Sequence, residues 1–247
     1  MRVRLIASHV ALALLCVAGA VFAQAAPPPP KIWTFTASAG LALTSGNSDT
    51  LSTNLAYDIT YDPQRRNLVK SAGLFLRART EGELTANRLG FNVRDQYRLT
   101  QRLYVFGQNL YLRDEFKEID YLLAPTAGLG YKLFDTPATK LDVDGSAGGV
   151  WEKNPGFDVD ASAALATGEK LTHILTSNTT LTQTFTGLWK TDDFEDALFT
   201  LGVSIAASMS TRTQLKVEAL DTFKNKPPVP TIQKNDVALL MAIVYKM

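Results

Sequence analysis

Charged side chains gather in two stretches of the chain. Arg77, Arg79, Arg88, Arg94, Arg98 and Arg113 fall between Leu68 and Asp114. Asp142, Asp144, Glu152, Asp158 and Asp160 fall between Leu141 and Gly168. Within each local run the spacing is even, which puts side chains on one face of a β-strand. If those faces line the inside of a barrel, one wall is basic and another acidic. Such walls form a constriction that selects or binds small anionic or zwitterionic solutes. The same residues can instead fill the interior as a salt-bridge network, because charges taken out of bulk water need partners. Both readings place Arg77, Arg79, Arg94, Arg98, Arg113, Asp142, Asp144, Asp158 and Asp160 in a lumen.

Other chemistries have weaker support. A lipid hydrolase carried on a barrel needs a serine and a histidine on one face. His173 is the one histidine beyond the N-terminal segment, and it falls at a predicted turn, so a surface residue is expected there rather than a general base. Metal binding lacks His and Cys ligands. The pairs Asp142/Asp144 and Asp158/Asp160 could hold a hard cation through oxygen, but alternation produces such pairs trivially. Glycines sit within predicted strands rather than before helices, so they make no phosphate loop. No metal, cofactor or catalytic residue is expected.

The elements that must position these charges are long strands. From Trp33 to Leu43, Trp33, Phe35, Ala37, Ala39, Leu41 and Leu43 share one face. Leu51, Thr53, Leu55, Tyr57, Ile59 and Tyr61 repeat the pattern after a polar Ser45-Gly46-Asn47-Ser48 turn. A period of two is the signature of a β-strand. Soluble strands average about five or six residues, whereas a tilted strand crossing a bilayer needs roughly 9–11. Further strands are predicted over about 68–79, 87–99, 103–114, 121–134, 141–152, 157–168, 174–186, 197–209 and 213–223, with a last one from Val237. A loop is expected at Thr80–Ala86, a bulge near Gly107, and a bulge or kink at Pro125. No helical pattern of useful length follows the N-terminal segment.

The chain of 247 residues opens with Arg2 and Arg4, an apolar run from Leu5 to Phe22, and the small-residue pattern Val21-Phe22-Ala23. That is a secretory signal peptide with cleavage expected after Ala23, or alternatively after Ala25. Cys16 is the single cysteine and lies inside it, so disulfides cannot supply stability. Pro27 to Pro30 make a stiff leader. Residues 1–23 are thus read as signal, 24–31 as leader and 32–247 as barrel. Without Arg2 and Arg4 the charge is 23 basic against 24 acidic residues, with no basic surface of the kind nucleic acid requires.

The expected fold is all-β: a closed antiparallel transmembrane β-barrel of about twelve strands, both termini on the periplasmic side. Longer predicted connections fall on the opposite side. Aromatics fall in two belts. One, toward the termini, contains Trp33, Phe35, Tyr57, Tyr61, Tyr97, Tyr104, Phe106, Tyr131 and Tyr245. The other contains Phe116, Tyr121, Trp151, Phe157, Trp189, Phe199 and Phe223. The expected partners are outer-membrane lipids and small solutes. A soluble periplasmic or secreted β-sandwich binding protein is the alternative, with a bilayer-embedded lipid hydrolase behind it.

Trp33, Ala39-Gly40, Ser45-Gly46-Asn47-Ser48, Asp114 and Gly128-Leu129-Gly130-Tyr131 occur in an order that resembles the salt-induced outer-membrane proteins, the family of domain of unknown function 481. The resemblance covers most of the chain after the signal. It implies a Gram-negative outer-membrane barrel, either a narrow pore or an envelope protein linked to salt stress. Barrels of this kind carry a C-terminal aromatic read by the insertion machinery, and Tyr245 is the candidate here.

Overall fold

The computed structural model describes residues 31–44 and 50–247. The segments expected as signal peptide and most of the leader, and the expected Ser45-Gly46-Asn47-Ser48 turn, lie outside the described residues. Twelve strands run in chain order: β1 (Trp33–Thr44), β2 (Thr50–Tyr61), β3 (Asn67–Thr80), β4 (Glu83–Arg98), β5 (Leu103–Asp114), β6 (Ile119–Asp135), β7 (Thr139–Lys153), β8 (Asp160–Thr176), β9 (Thr179–Lys190), β10 (Ala197–Ser208), β11 (Thr213–Lys224) and β12 (Asn235–Lys246). A short 3₁₀ turn, Glu115–Lys117, links β5 to β6. Each strand pairs antiparallel with its chain neighbours, and β12 returns to β1 to close the barrel. Closure gives each strand a partner on both sides, as a sheet that crosses lipid requires, with the β1–β12 seam paired over only part of its length.

The two faces of each strand have different tasks. Leu41, Leu55, Leu89, Phe91, Val93, Leu129, Leu165, Val203, Ile205, Leu239 and Ile243 are exposed on the outside. An apolar surface of that extent belongs against hydrocarbon. Trp33 and Tyr61 meet across β1 and β2 with ring centroids 4.5 Å apart, in the belt near the termini. Trp189, Phe199 and Phe223 form the opposite belt, with Trp189 edge-on to Phe199 at 5.2 Å. Tyr104 and Phe106 leave the expected belt: they are buried and face the lumen.

Three of the turns at the termini end share one device. The hydroxyls of Thr100, Thr136 and Ser210 accept from the amides of Leu103, Thr139 and Thr213 at 2.9, 2.9 and 3.0 Å. The backbone amides of the same three residues donate to the carbonyls of those partners. A hydroxyl that mimics a backbone turn makes these connections tight. The far end carries longer links at 154–159, 191–196 and 225–234.

Several local expectations are corrected. The Thr80–Ala86 loop is strand, because Glu81 and Gly82 at φ 54° and 80° form a two-residue hairpin turn. Gly107 pairs in register on both sides, and the β5–β6 irregularity sits between Leu112 and Asp114. Pro125, which has no amide to donate, interrupts β6–β7 pairing without shifting its register; the shift falls between Lys132 and Phe134. Strand β8 begins at Asp160 and runs to Thr176, so Ile174 belongs to it, and Gly187–Lys190 completes β9.

The closing seam is short. Strands β1 and β12 pair only from Thr36↔Lys246 to Ala39↔Ile243, whereas β1 and β2 pair from Trp33↔Tyr61 to Thr44↔Thr50. Above the seam the Met241 carbonyl turns in over Gly40, where a Cβ would stand 1.8 Å from it. Asn54 Nδ2 reaches across from β2 and donates to that carbonyl at 3.3 Å. Only glycine allows this approach.

Candidate functional site: the lumen

Inward residues arrange themselves in layers along the barrel axis. The layer at the far end is apolar among the described residues. Leu112, Ile119, Leu122, Ala124, Val150, Ala164, Leu188 and Leu198 form one buried apolar cluster, and Leu76, Leu220 and Leu240 form another.

An ion cluster is set into this layer. Lys224 Nζ is 2.6 Å from Glu152 Oε1, and Lys190 Nζ is 2.8 Å from Glu152 Oε2. The second contact is an ion pair without hydrogen-bond alignment. Lys190 also meets Asp160 at 2.7 Å and Asp196 at 2.5 Å, and Lys224 meets Asp196 at 3.1 Å. Glu152, Lys190 and Lys224 are all buried. Ionised groups persist there because each has opposite charge in contact.

Above this layer Lys117 reaches across the mouth. Asp114 caps the 3₁₀ turn by accepting from the amides of Phe116 and Lys117. The fully buried Lys117 Nζ then donates to the carbonyls of Gln233 and Lys234 at 2.9 and 2.8 Å and pairs with Asp236 at 2.8 Å. Lys226 and Asp193 tie the two neighbouring loops together. That contact holds the Asp193 carboxyl below the usual carboxylate range and the Lys226 ammonium above the usual lysine range.

Against this layer the interior opens into a cavity of about 330 Å³ lined by Asp58, Arg94, Gln108, Asp144, Thr186 and Lys216 among others. A second of about 380 Å³ shares Asp58, Arg94 and Asp144 with it. A third of about 200 Å³ adjoins the second through Lys70, Gln96, Tyr104 and Asp142 and extends to Arg98, Lys132 and Lys140. The series thus runs from mid-barrel to the termini end, where cations dominate.

Arg94 is the hub of the middle. It reaches from β4 to β7, where Nη1 lies 2.7 Å from Asp144 Oδ2. Its Nε donates to Gln108 Oε1 at 2.9 Å, and its guanidinium lies 3.9 Å from the Phe106 ring centroid. Gln108 donates on to Thr126 at 3.1 Å, which also accepts from Ser146. Arg88 meets Asp114 at 3.8 Å and donates to Thr222 on β11. At the termini end Arg98 holds Asp62 at 2.5 Å and the Arg65 carbonyl at 2.7 Å. The Arg98 hydrogen bond keeps the Asp62 carboxyl below the usual carboxylate range.

The sequence-derived charges therefore divide. Arg88, Arg94, Arg98, Asp142, Asp144, Glu152 and Asp160 face inward, and the basic and acidic walls meet as pairs at Arg94–Asp144. Arg77, Arg79 and Arg113 do not reach the lumen: they are exposed on the outer face, paired with Thr53, Leu51 and Leu89. The reason is that Leu74, Leu76 and Leu112 occupy the inward positions of β3 and β5, where the far-end lumen is apolar. Asp158 also lies outside it, exposed in the 154–159 loop that continues the Pro155-Gly156 turn. His173 is on β8 rather than in a turn, with Nδ1 2.8 Å from Thr139 Oγ1.

Lys117, Lys190 and Lys224 were not legible as lumen residues from charge runs. A signal existed for two of them. Trp189 and Phe223 face outward, so Lys190 and Lys224 one residue later must face in.

The family model described as "Protein of unknown function, DUF481" matches residues 37–247. The chain belongs to this family. Among solved structures, the chain is similar to the NanC porin, at 11% identity over 86% of this chain and 98% of that one, with a TM-score of 0.52. An outer-membrane channel from Pseudomonas putida F1 is similar at 13% identity, covering 87% and 95%, with a TM-score of 0.51. The translocator domain of autotransporter NalP from Neisseria meningitidis is similar at 9% identity, covering 89% and 90%, with a TM-score of 0.50. No curated protein matches the chain. At these identities the likeness concerns the fold, which is that of outer-membrane porin-type barrels.

Proposed function

We propose that the protein is a narrow channel of the outer membrane, with its termini in the periplasm, that admits small zwitterionic or polar solutes. The observation that supports this is the series of adjoining lumen cavities from mid-barrel to the termini end. Their walls carry opposite charges in pairs, Arg94 with Asp144 and Lys216 with Glu218. A solute that bears both signs can exchange with such pairs without leaving either charge bare. The ion cluster of Glu152, Lys190 and Lys224 is then the closed gate at the outer end, and solute passes when it parts.

A second reading has its own support. The packed outer layer, with its buried ion cluster, suits a structural envelope protein, of use under salt stress, that conducts nothing. Single-channel recording in a planar bilayer separates the two. Protein checked for heat-modifiable gel mobility should give discrete conductance steps. Properly folded protein that gives none overturns the channel reading.

A further inference from the structure

Arg77 and Arg79 on β3 and Arg113 on β5 stand on the outer surface, toward the end opposite the termini. We infer that they form a docking site for the phosphate groups of a phosphorylated lipid of the outer leaflet. This rests on the orientation adopted above, but not on conduction.

Three observations carry the inference. First, the three guanidiniums have no ion pair or hydrogen bond among the described residues. The inward Arg88, Arg94 and Arg98, by contrast, all meet carboxylates. Among the described residues, then, no counter-charge meets the outer three, and a ligand phosphate can supply one. Second, they flank a single strand, β4. Strand spacing puts β3 and β5 about 10 Å apart, and Arg77 and Arg79 are about 7 Å apart along β3. That spread suits a headgroup bearing more than one phosphate. Asn87, between them on β4, is already engaged, donating to Glu115 Oε2 at 2.7 Å. Third, the surface changes character just below. Phe75 and Leu89 pair with each other one step below Arg77, Leu89 stands opposite Arg113, and Phe91 stacks on Tyr111 at 4.9 Å. An acyl chain would lie along that apolar strip while its phosphates meet the guanidiniums above. Arginine suits this task because its planar fork binds phosphate oxygens bidentately.

The experiment measures binding of the full chain in detergent to lipopolysaccharide and to enzymatically dephosphorylated lipopolysaccharide. The variant is R77Q/R79Q/R113Q. The control is R65Q/R102Q/R212Q, which removes the same charge from exposed arginines in the turns at the other end. The wild type and the control should bind lipopolysaccharide alike, the variant at least about tenfold more weakly, and dephosphorylated lipid should lose the same factor. Equal binding by variant and wild type overturns the proposal. So does equal loss in both triple variants, which would mean bulk charge, or full competition by millimolar inorganic phosphate, which would mean a free-anion site. If the triple variant lacks heat-modifiable mobility, R113Q alone carries the comparison. Failure of conductance leaves this result untouched.

Discussion

Lys224 Nζ on β11 donates to Glu152 Oε1 on β7 at 2.6 Å, a bond between strands that are not neighbours in the barrel. It crosses the lumen, and with Lys190 it makes the interior of the far end a single connected unit. Glu152 is the more deeply buried of the two carboxylates that meet both lysines, the other being Asp196, and Asn154 Nδ2 donates to it at 3.3 Å as well.

Replacing Glu152 by Gln leaves two buried ammonium groups facing each other with less counter-charge. The expected cost is about 3–5 kcal/mol, the range for removing one partner of a buried ion pair. Loss of heat-modifiable mobility at a lower temperature than in the wild type checks the stability. Under the channel reading, E152Q should also raise open probability in a planar bilayer. A variant with wild-type stability would mean that water already reaches the cluster.

Arg94 and Asp144 set the charge balance of the middle lumen. Arg94→Ala leaves Asp144 as a net negative charge and should shift reversal potentials toward cations. Asp144→Ala should shift them toward anions. A unit charge about 4 Å away in a water-filled lumen contributes about 1 kcal/mol, roughly fivefold in permeability ratio. The double variant should return near the wild type. Selectivity unchanged in both single variants would place the conduction path elsewhere.

Asp62 gives a pH signature at the termini end. Its folded-state carboxyl is held below the ordinary range by Arg98. A lowered pKa contributes stability above the unfolded value, and that contribution fades as pH falls through the folded one. The wild-type melting temperature should therefore drop, as pH falls through and below the ordinary carboxylate range, by more than that of Arg98→Gln, which lacks the pair. Identical pH slopes in the two proteins would refute the assignment.

Much of the barrel was legible because a lipid-facing surface must be apolar. Where the lumen is polar or lined by small residues, as along Thr34, Thr36 and Ser38 on β1 or Gly202, Ser204 and Ala206 on β10, alternation alone identifies both faces. It misled at Arg77, Arg79 and Arg113 for a physical reason. Near the far end the inside is packed with leucine and the outside approaches headgroups, so the polarity of the two faces reverses. Charge then marks the exterior. The turns were less legible, because a two-residue hairpin such as Glu81-Gly82 carries little signal beyond one glycine. Cross-lumen partners such as Glu152 with Lys224 are 72 positions apart in sequence. Nothing local in a sequence announces such a contact.

The short seam between β1 and β12 bears on how the barrel assembles. Every other pairing joins chain neighbours through a turn and can form early. The seam joins Thr36 to Lys246 and must wait until the ends of the sheet meet. It is thus the final step of folding, secured by few backbone bonds and by the Asn54–Met241 contact over Gly40. In reverse it is the first line along which the cylinder unrolls. Amide hydrogens of Ser38 and Val244 should therefore exchange before those of equally buried residues at the β6–β7 pairing, and the chain's resistance to unfolding is set at the place where its two ends meet.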